Sequence, residues 1–285
     1  MIKKLLLVLE LIKFQHTIFA LPFAFLGALL ASREIPPWQT SVWILVAMIG
    51  ARSAAMAFNQ LADHQFDALN PRTQSRVLPT SQISRSFVSL FTVISTALFF
   101  FSAWNLNQLA LLLTLPAIAI IFAYSFTKRV TFLSHLFLGL SLAIAHVGGW
   151  VAVNGSLELE PFLIGISVMF WVSGFDIIYA CQDLEFDRKM GLNSIPQRFG
   201  ILISLRIAKI FHFAMTGFLL LAFWVSGLSW LSWVGFIVVV ISLLYEHSLV
   251  KETDLSRINV AFFTVNGFIG IALLLFVGID LYLES

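Results

Sequence analysis

The sequence predicts an all-α fold, a polytopic transmembrane bundle of about nine helices. Three observations lead there. Of the 285 residues, 59% are hydrophobic and 11% are charged, against roughly 25% charged in an average soluble domain. A soluble chain this apolar would expose too much greasy surface to stay dispersed. The apolar residues are grouped in stretches near the ~20 residues that a helix needs to cross about 30 Å of hydrocarbon. The basic residues fall almost entirely in alternate gaps between those stretches.

The stretches lie near residues 15–32, 38–58, 87–104, 108–125, 132–153, 161–181, 206–226, 229–247 and 258–281. Residues 1–14 carry Lys3 and Lys4 before an apolar run, as a signal peptide would. Glu10 and Lys13 interrupt that run and a longer apolar stretch follows, so the segment reads as an amphipathic lead-in at the membrane interface rather than a cleaved signal. Ile35-Pro36-Pro37 breaks the first connection. Trp104-Asn105-Leu106-Asn107 and Asn154-Gly155-Ser156, the latter followed by Glu158, Glu160 and Pro161, make short polar turns. The whole of 1–285 reads as one integral membrane domain.

With nine spans, 15 of the 17 lysines and arginines fall on one side; Arg33 stands on the other and Arg52 lies inside a span. The positive-inside rule makes the basic side cytoplasmic, with the N-terminus inside, as expected for a bacterial inner membrane. The two long connections, near 59–86 and 182–205, are on that side, so chemistry is expected there.

Both long connections open on acidic residues spaced by four. The first begins Asn59-x3-Asp63-x3-Asp67, and steps of four place all three side chains on one helix face. Two carboxylates and an amide oxygen form a hard-oxygen surface suited to Mg²⁺, which keeps waters and is held by one or two carboxylates together with substrate phosphates. Arg72 and Arg76 follow, with the forked donors that phosphate oxygens prefer. The second connection holds Asp183-x3-Asp187, followed by Arg188 and Lys189. Its two aspartates trail Asp63 and Asp67 by 120 positions each, and Asp176 precedes Asp183 by the seven residues that separate Arg52 from Asn59. The equal offsets suggest an internal duplication. Asp176 and Arg52 sit deeper in their helices, where ionised groups are costly and mark functional sites; the competing reading is a mutual ion pair that fixes helix packing.

Tyr124 and Lys128 stand at i, i+4 near the end of the fourth stretch. Lys128 either reaches phosphate or snorkels to the interface. His16, His135, His146 and His212 have no metal-ligand spacing and read as packing residues. Cys181 is the single cysteine, so no internal disulfide is possible, and it reads as a small buried hydrophobe. Gly148-Gly149 reads as a site of close helix packing. There is no glycine-rich nucleotide loop, zinc motif or nucleophile elbow, and nothing points to nucleic acid. Membrane CDP-alcohol phosphotransferases also cluster aspartates, but on a contiguous Asp-Gly-x2-Ala-Arg that is missing here. An ion or proton carrier built on Asp176 and Arg52 would place its acidic groups near the bilayer centre; here they gather at the helix ends.

The run Arg52…Asn59-x3-Asp63-x3-Asp67-x4-Arg72-Thr73-x2-Arg76-x2-Pro79 resembles the first signature of the UbiA superfamily of membrane prenyltransferases. Asp176-x2-Tyr179-x3-Asp183-x3-Asp187-x3-Gly191-x2-Ser194-Ile195-Pro196-x3-Gly200 resembles the second. The resemblance covers essentially the whole chain. It implies a UbiA-like bundle and Mg²⁺-dependent transfer of a polyprenyl chain from its diphosphate to an aromatic acceptor. It carries metal and diphosphate binding onto Asn59, Asp63, Asp67, Asp183 and Asp187, with the four aspartates catalytic. It carries substrate contact onto Arg72, Arg76, Tyr124, Lys128, Asp176 and Tyr179, and acceptor contact onto Arg52. The segment Lys13-Phe-Gln-His-Thr-Ile-Phe-Ala-Leu-Pro22-Phe-Ala resembles 4-hydroxybenzoate polyprenyltransferases of ubiquinone biosynthesis. It especially resembles the branch thought to prenylate 1,4-dihydroxy-6-naphthoate for menaquinone.

Overall fold

The computed structural model describes residues 2–13 and 17–284. The described chain is helical almost throughout: α1 (Ile2–Leu11), α2 (Thr17–Ser32), α3 (Trp38–Ala62), α4 (His64–Leu69), α5 (Arg85–Leu106), α6 (Gln108–Val130), α7 (Ser134–Asn154), α8 (Leu159–Ala180), α9 (Leu184–Met190), α10 (Ile195–Val225), α11 (Trp230–Leu249) and α12 (Asn266–Glu284). Among the described residues, eight helices are long and apolar enough to cross a membrane. The ninth apolar helix, α2, has 16 residues, about 24 Å at 1.5 Å per residue. The protein is an integral, multi-pass membrane protein; among the described residues the eight long apolar helices and the shorter α2 correspond to the expected stretches.

The turns behave as their residues dictate. Asn107 accepts the Ala110 N–H at 2.8 Å and so caps α6, while its Nδ2 donates to the Val151 carbonyl at 2.7 Å and ties that cap to α7. Gly155 closes α7 in the left-handed conformation, φ 63°, which glycine adopts without a Cβ clash. On the same side of the bundle, the buried Asp280 carboxylate accepts the Ser229 and Leu231 N–H groups and the Ser232 hydroxyl, and so caps α11 from α12.

Three expectations are corrected. The connection near 182–205 is not an open loop. It folds as α9 and a short helical segment, residues 195–199, which breaks at Gly200 (φ 78°, ψ 171°) before the long part of α10. Ser194 caps that segment by accepting the Gln197 N–H at 3.2 Å, and Pro196 sits in the first turn, where its missing N–H costs nothing. Neither acidic triad lies on a straight helix: α3 stops at Ala62 and α4 restarts at His64, with Asp63 between them at φ −96°, ψ 7°. Asp183 closes a 3₁₀ turn (Cys181–Asp183) at φ −94°, ψ 2°. Of Gly148-Gly149, only Gly149 permits a close approach. A Cβ there would collide with the Ala24 carbonyl of α2, whereas Gly148 faces open space. Gly27 meets the His146 carbonyl in the same way from the α2 side.

The lead-in α1 lies along α3. Leu11 is fully buried with Ala57, Val77, Leu78 and Val88, and the Leu11 carbonyl accepts Gln60 Nε2 at 2.6 Å. The main core centres on α8, the most enclosed span and apolar on most of its surface, as an enclosed helix must be. Trp171 of α8 is wholly buried and donates its indole N–H to Asn266 Oδ1 at 2.7 Å, and Asn266 Nδ2 donates to Glu246 at 3.0 Å. His146 and His212 are buried as packing residues, bonded to the Phe23 carbonyl and to His247 with the Trp171 carbonyl. Cys181 is buried and free. His16 lies outside the described residues. The α2–α7 contact predicts that Gly149→Val costs about 1–3 kcal/mol by overpacking. It should lower the thermal midpoint in detergent while Gly148→Ala leaves it near wild type; equal midpoints would refute the close approach.

Candidate active site

The first motif is built where α3 gives way to α4. Asn59, in the last turn of α3, donates to Asp63 Oδ2 at 3.0 Å and to the Ser125 hydroxyl of α6 at 3.4 Å. The break at Asp63 separates the carboxylates. Asp63 pairs with Arg129 at 3.0 Å from the end of α6, and Asp67 pairs with Arg76 at 2.7 Å in the loop beyond α4. Thr73 donates to the Asp67 carbonyl at 3.1 Å and holds that loop against α4.

The second motif meets the first across the bundle. Arg72 of the first loop grips Asp183 with two bonds, Nε at 2.9 Å and Nη2 at 2.7 Å, and Asn70 adds a third at 3.4 Å. The Arg72 guanidinium also lies over the Tyr179 ring, 5.3 Å from its centre. Asp187, almost fully buried, takes Lys128 Nζ at 3.3 Å and the Ser194 hydroxyl at 2.8 Å. The Asn193 N–H bonds the Lys128 carbonyl at 2.6 Å, clamping the end of α6 to the start of α10.

Behind the ion pairs opens a cavity of about 780 Å³ with mostly apolar walls. Its wall includes Asn59, Arg52, Arg72, Arg76, Tyr124, Lys128, Asp176, Tyr179 and Asp183. Asp63, Asp67 and Asp187 stand outside the wall. The proposed Arg52–Asp176 ion pair is not formed. Asp176 instead pairs with His135 Nδ1 at 2.6 Å, and Arg52 Nε is buried without a hydrogen-bond partner. A cationic side chain is thus left facing the cavity uncompensated.

Each charge has a physical reason for its state. Burial alone would favour a neutral Arg72, but the Asp183 bonds overcome it and hold the guanidinium above its ordinary pKa. Burial pushes the Asp63 carboxyl up, and the Arg129 hydrogen bond only partly offsets the shift. Burial pulls Lys13 down, helped by the nearby Arg76 charge. Among the described residues no three carboxylate or imidazole groups converge on one point. The donors at this end are nonetheless all hard oxygens. A small divalent cation that keeps waters and takes only one or two carboxylates together with phosphates fits such a set without a third.

The UbiA prenyltransferase family model matches residues 20–277. The chain belongs to the UbiA prenyltransferase family. Its UbiA relatives include the 4-hydroxybenzoate octaprenyltransferases of Citrobacter koseri and Salmonella paratyphi B, each 28% identical over 243 residues, 84% of this chain and 83% of theirs. A UbiA homologue from Aeropyrum pernix K1, solved without ligand, is 31% identical with a TM-score of 0.81 over 94% of this chain and 98% of that one. An Archaeoglobus fulgidus UbiA homologue bound to DMAPP and Mg²⁺ shares the fold at 21% identity, with a TM-score of 0.74 over 98% and 99% of the two chains.

Sequence reasoning on this UbiA chain missed Arg129, seen only as one more basic loop residue, and Lys13 and Ser75, which reach the cavity wall. It also read His135 as packing. The i, i+1 neighbourhood of Lys128 was the one available signal for Arg129. Nothing local in the sequence marks His135, because its partner is 41 residues away.

The Asp63 shift has a sign that can be checked. A carboxyl whose folded pKa is raised disfavours the folded state as pH climbs above its ordinary value. In EDTA at pH 7, Asp63→Asn is therefore expected to raise the thermal midpoint. The gain should vanish as pH falls below the ordinary aspartate range. A midpoint lowered at pH 7 would show that the Arg129 pair outweighs burial.

Proposed function

We propose that the protein transfers a polyprenyl chain from its diphosphate to a hydroxylated aromatic carboxylate of the 4-hydroxybenzoate type, in quinone biosynthesis, and that it does so with Mg²⁺. The observation that carries this reading is the cavity itself. One end is crowded with paired cations and carboxylates, the walls are apolar, and an unpartnered guanidinium, Arg52, sits inside. A polyprenyl diphosphate divides along the same line, with an anionic head and a water-insoluble tail. The family and the 4-hydroxybenzoate octaprenyltransferases among its relatives support the acceptor class.

Asn59, Asp63, Asp67, Asp183 and Asp187 would hold Mg²⁺, which neutralises charge on the departing diphosphate when bound. Arg72, Arg76 and Lys128 carry the donors that phosphate oxygens take, once each is released from its aspartate. The apolar wall keeps water from the allylic cation. Arg52 would bind the acceptor carboxylate, and Tyr124, Asp176 and Tyr179 would bound the acceptor's place. Proximity and orientation in such a cavity supply much of the rate. No protein nucleophile is needed. The chain works as a single membrane domain, 1–285, with its site on the cytoplasmic face of a bacterial inner membrane, where the basic loops gather.

The decisive test is a prenyl-transfer assay on purified protein with Mg²⁺, a long-chain prenyl diphosphate, and 4-hydroxybenzoate and 1,4-dihydroxy-6-naphthoate offered side by side. Product from the benzoate is expected. Product from the naphthoate alone would move the protein to menaquinone synthesis. No product from any hydroxylated aromatic carboxylate would overturn the acceptor class. EDTA is expected to abolish turnover. Asp63→Ala and Asp183→Ala should each reduce it by about 100-fold or more while the protein stays folded, and near-normal turnover in either at limiting Mg²⁺ would sink the metal assignment.

A further inference from the structure

Among the described residues, Asp176 and His135 form the one carboxylate–imidazole pair in the cavity region that the diphosphate end does not use. Asp176 is on α8, in the cavity wall, and its Oδ2 lies 2.6 Å from His135 Nδ1. His135, in the first turn of α7, is fully buried. Its other ring nitrogen, Nε2, accepts the Ile195 N–H at 3.4 Å. An imidazole that accepts on Nε2 carries its proton on Nδ1, so His135 donates to Asp176. The pair is braced from both sides. Ser173, one turn before Asp176, donates to the His135 carbonyl at 3.0 Å. Ile195 follows Ser194, which Asp187 holds at 2.8 Å. No hydrogen bond from the described residues reaches Asp176 Oδ1, and Asp176 is a residue of the cavity wall.

We infer that Asp176 is the base that takes the acceptor's hydroxyl proton, and that His135 is the residue that positions it. The inference rests on the prenyl-transfer reading and supplies the proton acceptor which that reading lacks. The acceptor's hydroxyl donates to Asp176 Oδ1. As the C1–O bond of the prenyl diphosphate breaks, its electron pair leaves with the diphosphate. A ring carbon ortho to the hydroxyl bonds to C1, and the hydroxyl proton passes to Oδ1. The resulting dienone loses its ring C–H proton to the diphosphate, and its oxygen recovers the proton from Asp176. The net proton leaves with the diphosphate, and Asp176 is restored. The fixed Nδ1–H of His135 occupies Oδ2, so only Oδ1 is presented to the acceptor. The same imidazole, through Ile195, ties the base to the segment that Asp187 grips.

The test uses the full-length protein and the acceptor that the wild type prenylates. Asp176→Asn is expected to lower kcat by about 100-fold or more, with KM for the prenyl diphosphate unchanged. The deficit should shrink for a ring-fluorinated, more acidic phenol, because an acceptor that ionises by itself needs less help. His135→Ala should lose about tenfold or more through misorientation. His135→Gln keeps one donor and one acceptor and should restore most of that loss. Asp176→Asn within about threefold of wild type, or a loss wholly in KM for the diphosphate, overturns the assignment. Should Asp176→Asn fail to fold, the His135 pair decides: equal kcat for His135→Ala and His135→Gln overturns it. A wild type that prenylates no aromatic acceptor would instead fell the functional reading, and this inference with it.

Discussion

An ionised carboxylate withdrawn from water must be matched by a partner or it unfolds the site around it, and this protein withdraws three of them together. Asp67, Asp183 and Asp187 are buried, and Asp63 is largely enclosed beside them. Each finds its own cation: Arg76, Arg72, Lys128 and Arg129. Removing Arg76, Arg72 or Lys128 would strand a buried carboxylate, which is far more costly than a lost surface bridge; Asp63, the most exposed of the four, is the exception. The pairs therefore dictate where the loops run. Arg72 draws the loop after α4 across to α8, and Lys128 draws the end of α6 to the start of α10. Arg72, Lys128 and Asp183 of these crossings are also in the cavity wall.

The repeat that the sequence suggests reappears in the backbone. Asp63 and Asp183, 120 positions apart, interrupt their helices at nearly the same dihedral angles. In each copy the break falls on the first aspartate and turns the second toward a different cation. The copies then diverge. The first leaves Asp63 partly exposed and held from α6, while the second buries Asp187 and adds Ser194 beneath it. The shared break is what the equal spacings would require of an internal duplication, and the two copies meet different cations.

Much of this was legible from residues alone. The number of apolar segments, the clustering of acidic and basic groups at one end, and the identity of most charged wall residues follow from hydropathy and from residue spacing. These are local signals, and local signals report what lies on one helix. The failures are all matters of distance in sequence. Steps of four from Asn59 to Asp67 describe a straight helix and say nothing of a break, and the cations that Asp63 and Asp67 meet beyond it, Arg129 and Arg76, lie outside residues 59–67. Arg52 and Asp176 were natural partners by depth, but His135 captured Asp176 through the packing of α7 on α8. The start of α10 was hidden by its polarity: Arg198, Arg206 and Lys209 read as loop, though Ser194 and Pro196 are ordinary helix-start residues.

The ion pairs have a kinetic consequence. Arg72, Arg76, Lys128 and Arg129 are cancelled one for one by aspartates, so together they cast little field beyond their own contacts. An anion in solution is not pulled toward them from afar, and long-range steering through a Debye layer contributes little to its arrival. On the proposed reading, capture would be an exchange reaction in which a head group supplies both the negative oxygens that release the arginines and the positive ion that releases the aspartates. A bare phosphate brings one half of that exchange and a free metal ion the other. Only a ligand carrying both at once completes the trade, so the site filters by composition before any recognition of shape begins.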